Sequence, residues 1–196
     1  MTLRTELIYI VDRSGSMGSI RSSVIEGYNK SLRDHQAEEG EARVTYVQFD
    51  DIVETVYEAV AVKEVPFLEH NTFVPRGNTA LNDGIGQTLE AQSKRIAKEK
   101  WAQLVIVTII TDGGENSSKN YSADRVKGMT SMAQNLGWEF VFQAANQDAF
   151  ATAQQYSFAA KGVKNFVASA SGSMEAFASN STYTRSLRKG DFDSKI

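Results

Sequence analysis

Two aliphatic runs, Leu7 to Val11 and Leu104 to Ile110, each give way almost at once to an aspartate, Asp12 and Asp112. Short, β-branched runs bounded by polar turns read as strands buried on both faces, and such strands belong to a parallel sheet covered by helices. The stretches between them fit that reading. Ser19 to Gln36 carries Ile20, Val24, Ile25, Tyr28 and Leu32 at helical spacing, and Ala80 to Lys98 carries Leu81, Ile85, Leu89 and Ile96 in the same way. Ala42 to Phe49 alternates as a strand, Asp50-Asp51 makes a tight turn, and Ile52 to Tyr57 returns as an edge strand. After the most apolar strand, Gln103 to Thr111, come a helix over Ala123 to Asn135, a strand over Trp138 to Ala144 and a short helix over Asp148 to Tyr156. A last strand is expected over Val163 to Ala168 and a last helix over Met174 to Arg188, capped by Ser171 or Ser173.

Alternating strands and helices imply an α/β, doubly wound architecture: a mostly parallel sheet with one antiparallel edge strand and helices on both faces. A chain of 196 residues has enough material for one core, so residues 1–188 are expected to form a single domain, with 189–196 as a frayed polar tail. The net charge of -3 offers no general attraction to nucleic acid or anionic membrane. The sequence contains no cysteine, which removes disulfides and thiolate metal sites and fits a reducing, cytoplasmic setting. No apolar run approaches the roughly 20 residues that a membrane-spanning helix needs.

In open α/β sheets ligands bind beyond the carboxyl ends of the strands, where strand order reverses. Two polar loops fall at such places. The first, Asp12-Arg13-Ser14-Gly15-Ser16, sets a carboxylate and two hydroxyls at alternate positions around a glycine that lets the chain turn. The other opens with Asp112, and Thr79 adds a hydroxyl at the start of a helix. All five are hard oxygen donors, which select Mg²⁺, or Ca²⁺ or Mn²⁺, over zinc and copper. Two aspartates offset a divalent cation while neutral hydroxyls donate weakly. Aspartates acting partly through water would leave such a cation electrophilic and ready for an incoming carboxylate.

These residues resemble the metal-ion-dependent adhesion site of the von Willebrand factor A domain family. Asp12-x-Ser14-x-Ser16, Thr79 within Gly77-Asn78-Thr79-Ala80-Leu81-Asn82-Asp83, and Asp112 within Ile110-Thr111-Asp112-Gly113 match that family's pattern, and strand and helix order fits from Glu6 to Arg188. The resemblance implies a Rossmann-like sheet and a metal-dependent module that binds an acidic residue of a partner protein, without catalysis. The wording around Arg13 to Met17 resembles the stand-alone intracellular microbial members. In some members the last helix shifts with the state of the metal site. Two other functions remain to be weighed: a structural or assembly subunit whose metal stabilises loops, and a metal-dependent phosphohydrolase. Against the latter, the second acid of an Asp-x-Asp motif is replaced by Ser14. No phosphate-binding glycine loop or nucleophile elbow is present.

The remaining polar residues take structural readings. Asp83 suits the first turn of a helix, and Glu115 and Asn116 suit turn chemistry. Arg13 is expected to face solvent beside the site, and His35 and His70 are expected at the surface. Trp101 and Trp138 read as core-edge packing. Lys94, Arg95, Lys98 and Lys100, and likewise Arg185, Arg188 and Lys189, read as solvated faces near helix C-termini.

Overall fold

The computed structural model describes residues 2–145 and 148–196. A six-stranded sheet runs in the order β3-β2-β1-β4-β5-β6, with β1 Thr5–Asp12, β2 Ala42–Phe49, β3 Val53–Ala61, β4 Leu104–Thr111, β5 Glu139–Ala144 and β6 Val163–Asn165. Every neighbouring pair is parallel except β2 and β3. Strand order reverses at β1, which lies between β2 and β4, so the carboxyl ends of β1 and β4 stand side by side with Val11 opposite Ile110.

All eight residues of β1 and all eight of β4 are buried, which explains why their sequences are continuous apolar runs rather than alternations. Leu7, Tyr9 and Val11 point into a core shared with α1 (Arg21–Ala37) and α5 (Ala170–Arg188). Ile8 and Ile10 point the other way, toward α2 (Leu81–Glu99), α3 (Ala123–Asn135) and α4 (Ala149–Gln155). The α1–α5 contact is close: a Cβ on Gly27 would come within 2.5 Å of the Phe177 ring. No helix among the described residues is long and apolar enough to cross a membrane.

Several elements differ from their sequence expectation. β3 runs on to Ala61 rather than ending at Tyr57, with its register against β2 broken on both sides of Tyr46 and with Ala59 in a left-handed conformation, φ 51°. The last strand stops at Asn165 instead of Ala168. Ser169, not Ser171 or Ser173, caps α5 by accepting the Gly172 N–H. The tail over 189–196 is tied down: Ile196 N–H donates to the Lys161 carbonyl, and Ile196 packs against the α1–α5 core.

Three polar residues expected at the surface are buried, each because a distant segment supplies its partners. His35 lies between Thr184 and Arg188, with its Nε2 3.0 Å from Thr184 Oγ1 and its Nδ1 3.2 Å from Arg188 Nη1. Arg188 also donates to the carbonyls of His35, Glu39 and Gly40. Arg13 is covered by the β2–β3 turn. Arg95 likewise leaves the solvated face of α2 to hold buried Glu6 with two N–H donors, at 2.8 and 3.2 Å. His70 is exposed, as expected, and Trp138 is buried at the start of β5.

Candidate metal centre

β1 ends in Asp12 and β4 in Thr111, so strand pairing alone brings the two polar loops together. Both oxygens of Asp12 are engaged: Oδ1 accepts the Ser14 N–H at 2.6 Å and Oδ2 accepts the Thr111 hydroxyl at 2.6 Å. After Ser14 the chain turns into a short 3₁₀ segment, Gly15–Ile20, whose start stacks Ser16 over Ser14, with their hydroxyls 3.1 Å apart. Ser16 Oγ in turn donates to Asp112 Oδ1 at 2.6 Å, closing a chain of oxygens from β1 to β4.

Thr79 stands just ahead of α2. A Cβ on Gly113 would lie 3.1 Å from Thr79 Oγ1 and 3.8 Å from Ser16 Oγ, so the absent side chain of this glycine leaves room for the two hydroxyls. All five residues singled out from sequence therefore converge. Asp12, Ser14, Thr79 and Asp112 are buried, and Ser16 is exposed, which places it on the solvent side of the group.

Burial pushes the Asp12 carboxyl up to about 6, while the hydrogen bonds from Thr111 and Ser14 pull the other way and Asp112 adds a further rise. Burial also raises Asp112. Burial thus makes charge on this pair costly in the protein alone. Among the described residues no three histidine, cysteine, aspartate or glutamate side chains gather as a metal site, so a cation here would rest on two carboxylates, hydroxyls and water. Oxygen-only donors in that proportion fit Mg²⁺ or Mn²⁺ better than a softer metal.

Residues read from the sequence as a helix start and turn chemistry do take those places, and they also hold the site together. Asn116 exchanges two hydrogen bonds with Thr79, accepting its N–H at 2.9 Å through Oδ1 and donating its own N–H to the Thr79 carbonyl at 3.0 Å. Glu115 accepts the N–H groups of Asn82, Ser117 and Ser118, and Asp83 accepts those of Lys119, Asn120 and Tyr121. Asp83 thus staples the loop after β4 to the start of α2. The sequence signal for these roles was only a density of Asn, Asp, Glu and Ser in one loop.

No family model over the whole sequence matches, and no curated protein does. Solved structures do match in shape. The mussel byssus proximal thread matrix protein 1, in a structure described as having a zinc-occupied MIDAS motif, superposes with a TM-score of 0.65 at 14% identity over 94% of this chain. Manganese-loaded TRAP protein of Plasmodium vivax gives 0.61 at 16% identity, covering 88% of this chain and 71% of its own. A von Willebrand factor type A protein from Catenulispora acidiphila gives 0.61 at 13% identity over 94% of this chain. The chain spans 46% of the mussel protein and 43% of the Catenulispora protein. These likenesses and the sheet order define the fold as von Willebrand factor A-like, a Rossmann-like α/β sheet with one antiparallel edge.

Proposed function

We propose that this chain is a metal-dependent protein-interaction module in which Asp12, Ser14, Ser16, Thr79 and Asp112 hold a divalent cation, and that an acidic residue of a partner protein completes the site. The observation that carries the reading is the convergence of five oxygen side chains, from three separate loops, at the point where strand order reverses. When bound, the cation supplies a compact positive centre that attracts carboxylate oxygen. The protein's own groups then do the rest. Ser14, Ser16 and Thr79 offer neutral oxygens that leave the centre under-neutralised. Asp12, with both oxygens already accepting hydrogen bonds, orients the Ser14 backbone and suits a role through water rather than direct ligation. Exposed Ser16 marks the side open to a partner.

Mg²⁺ is the cation we favour, with Mn²⁺ or Ca²⁺ as substitutes of the same donor class. Support comes from the donor set here and, by analogy of shape, from the manganese described in the TRAP structure. Calorimetric titration of Mg²⁺ and Mn²⁺ into wild type and Asp12→Ala tests the site. Binding by wild type and none by the variant is expected, and equal binding by both overturns it. Partner capture with and without chelator tests the module. Partners that all survive chelation would leave the metal a purely structural part of an assembly subunit.

A further inference from the structure

We propose that Arg13, Asp50 and Arg76 form a clamp that sets where Thr79 stands against the Asp12–Ser16 loop, and so sets the affinity of the five-residue site for a divalent cation. The affinity half of this inference rests on the metal-site reading above; the clamp itself does not.

Four of the five donors need little help to meet. Asp12, Ser14 and Ser16 leave β1 directly, Asp112 leaves β4 directly, and the two strands are paired residue by residue. Thr79 has no strand beneath it. It lies at the end of the segment over 65–80, which leaves the sheet after β3 and carries no helix or strand of its own before α2. Asn116 holds Thr79 from the β4 side. From the β1 side the segment is held by three backbone hydrogen bonds: Arg76 N–H to the Arg13 carbonyl at 2.8 Å, Gly15 N–H to the Gly77 carbonyl at 3.1 Å, and Ala80 N–H to the Asp50 carbonyl at 3.0 Å.

Those bonds join three loops whose relative placement depends on the ion cluster between them. Arg13 is 5% exposed. Its Nε donates to Asp50 Oδ2 at 2.9 Å and its Nη1 donates to Gln48 at 3.1 Å and to Glu54 at 2.7 Å. Arg76 Nε reaches the same Asp50 oxygen at 2.7 Å, while Asp50 Oδ1 accepts the Ile52 N–H at 2.8 Å. One carboxylate thereby ties the metal loop, the β2–β3 turn and the Thr79 segment to a single point. Two guanidinium groups face two carboxylates, so the cluster places no net charge beside the metal site. Its influence on a cation is geometric: it fixes the distance between Thr79 and the serines. Glu54 is the informative contrast. It holds the same guanidinium, but its side chain is 54% exposed on β3, and among the described residues it reaches the Thr79 segment only by a longer-range attraction to Arg76 and by no hydrogen bond.

The test measures Mn²⁺ affinity by calorimetry for wild type, Arg13→Lys, Asp50→Asn and Glu54→Gln, with melting temperature and amide hydrogen exchange of the same proteins in chelator. Asp50→Asn and Arg13→Lys are expected to weaken binding by about tenfold or more, the usual effect of removing a group that orients a metal ligand, with Glu54→Gln within about twofold of wild type. The Arg13→Lys, Asp50→Asn double variant is expected to be no weaker than the worse single one, because the residues act as a unit. In chelator, the Gly15, Arg76 and Ala80 amides should exchange faster in Asp50→Asn and not in Glu54→Gln. Variants that melt earlier yet bind Mn²⁺ with wild-type affinity would reduce the cluster to a stabilising ion pair and overturn the proposal. If wild type itself binds no Mn²⁺, the metal reading and the affinity half fail together, and the exchange data still decide the clamp.

Discussion

Replacing His35 with glutamine should change how this protein responds to acid, by an amount that the structure allows to be worked out. The imidazole is fully buried between α1 and α5. Thr184 Oγ1 donates to the Asn180 carbonyl, so it accepts from the ring Nε2–H, and Nδ1 must accept from Arg188. The ring is therefore neutral, and a second proton has nowhere to go except against a guanidinium. Burial, followed by the charges of Arg188 and Arg185 and only partly opposed by Asp34 and Glu38, pushes His35 from 6.5 down to about 3. Between those values the unfolded chain binds a proton that the native state refuses. The stability this residue contributes is complete above pH 6.5 and is lost as pH falls toward 3, at about 1.4 kcal/mol per pH unit. That amounts to roughly 2 kcal/mol by pH 5, against a total of about 5–15 kcal/mol for a typical domain. Urea unfolding in chelator, followed by the fluorescence of Trp101 and Trp138, measures it. His35→Gln keeps a donor for Thr184 and an acceptor for Arg188 but cannot titrate. Between pH 7.5 and 5 the variant should gain about 2 kcal/mol relative to wild type. Asp12, whose raised carboxyl acts in the opposite sense, is common to both proteins and cancels. A wild-type-to-variant difference that stays constant across this range would refute the argument.

Two further outcomes follow from the packing. Gly113→Ala puts a methyl group 3.1 Å from Thr79 Oγ1 and 3.8 Å from Ser16 Oγ; Mg²⁺ or Mn²⁺ affinity by calorimetry should fall about tenfold, with stability in chelator changed by less than about 0.5 kcal/mol. Glu6→Ala strips the buried anchor from Arg95 and should cost about 3 kcal/mol by thermal melting, toward the low end for a broken buried pair because Arg95 keeps its bonds to Gln92 and Glu99. A loss under about 1 kcal/mol would mean that water replaces Glu6 at little cost.

The sheet and the oxygen cluster were legible because both are written locally. β1 and β4 announce themselves by apolar runs, β2 by alternation, α2 by its 3.6-residue spacing, and the clustered loops by polar residues set immediately after buried strands. Arg13, His35 and Arg188 were read as solvent-facing because their partners lie 37, 149 and 153 residues away, as Asp50, Thr184 and His35 do respectively. A charged side chain looks solvated from its neighbours in sequence; only the fold shows that another element has covered it. The start of α5 was misplaced for a related reason. Ser169, Ser171 and Ser173 are equivalent as caps by composition, and Ser173 is used instead to donate to the Ser169 carbonyl from within the helix. Asp50 was legible only as a residue of the β2–β3 turn, and Arg76, its partner in the proposed clamp, left no local mark.

The two edges of the sheet bear on how this molecule behaves in a crowd. An open strand edge is a template on which another chain can extend the sheet, and long flat edges invite fibrous growth. β6 offers only three residues. β3 offers nine, but its register slips around Tyr46, Ala59 turns left-handed, and the Ala59 N–H donates inward to Thr45 Oγ1. A newcomer strand meeting β3 finds the ladder interrupted mid-length, with Glu54 ahead of the break and Glu58 within it. Both borders are thus poor templates, and copies of the protein can crowd together with little tendency for their sheets to fuse into one.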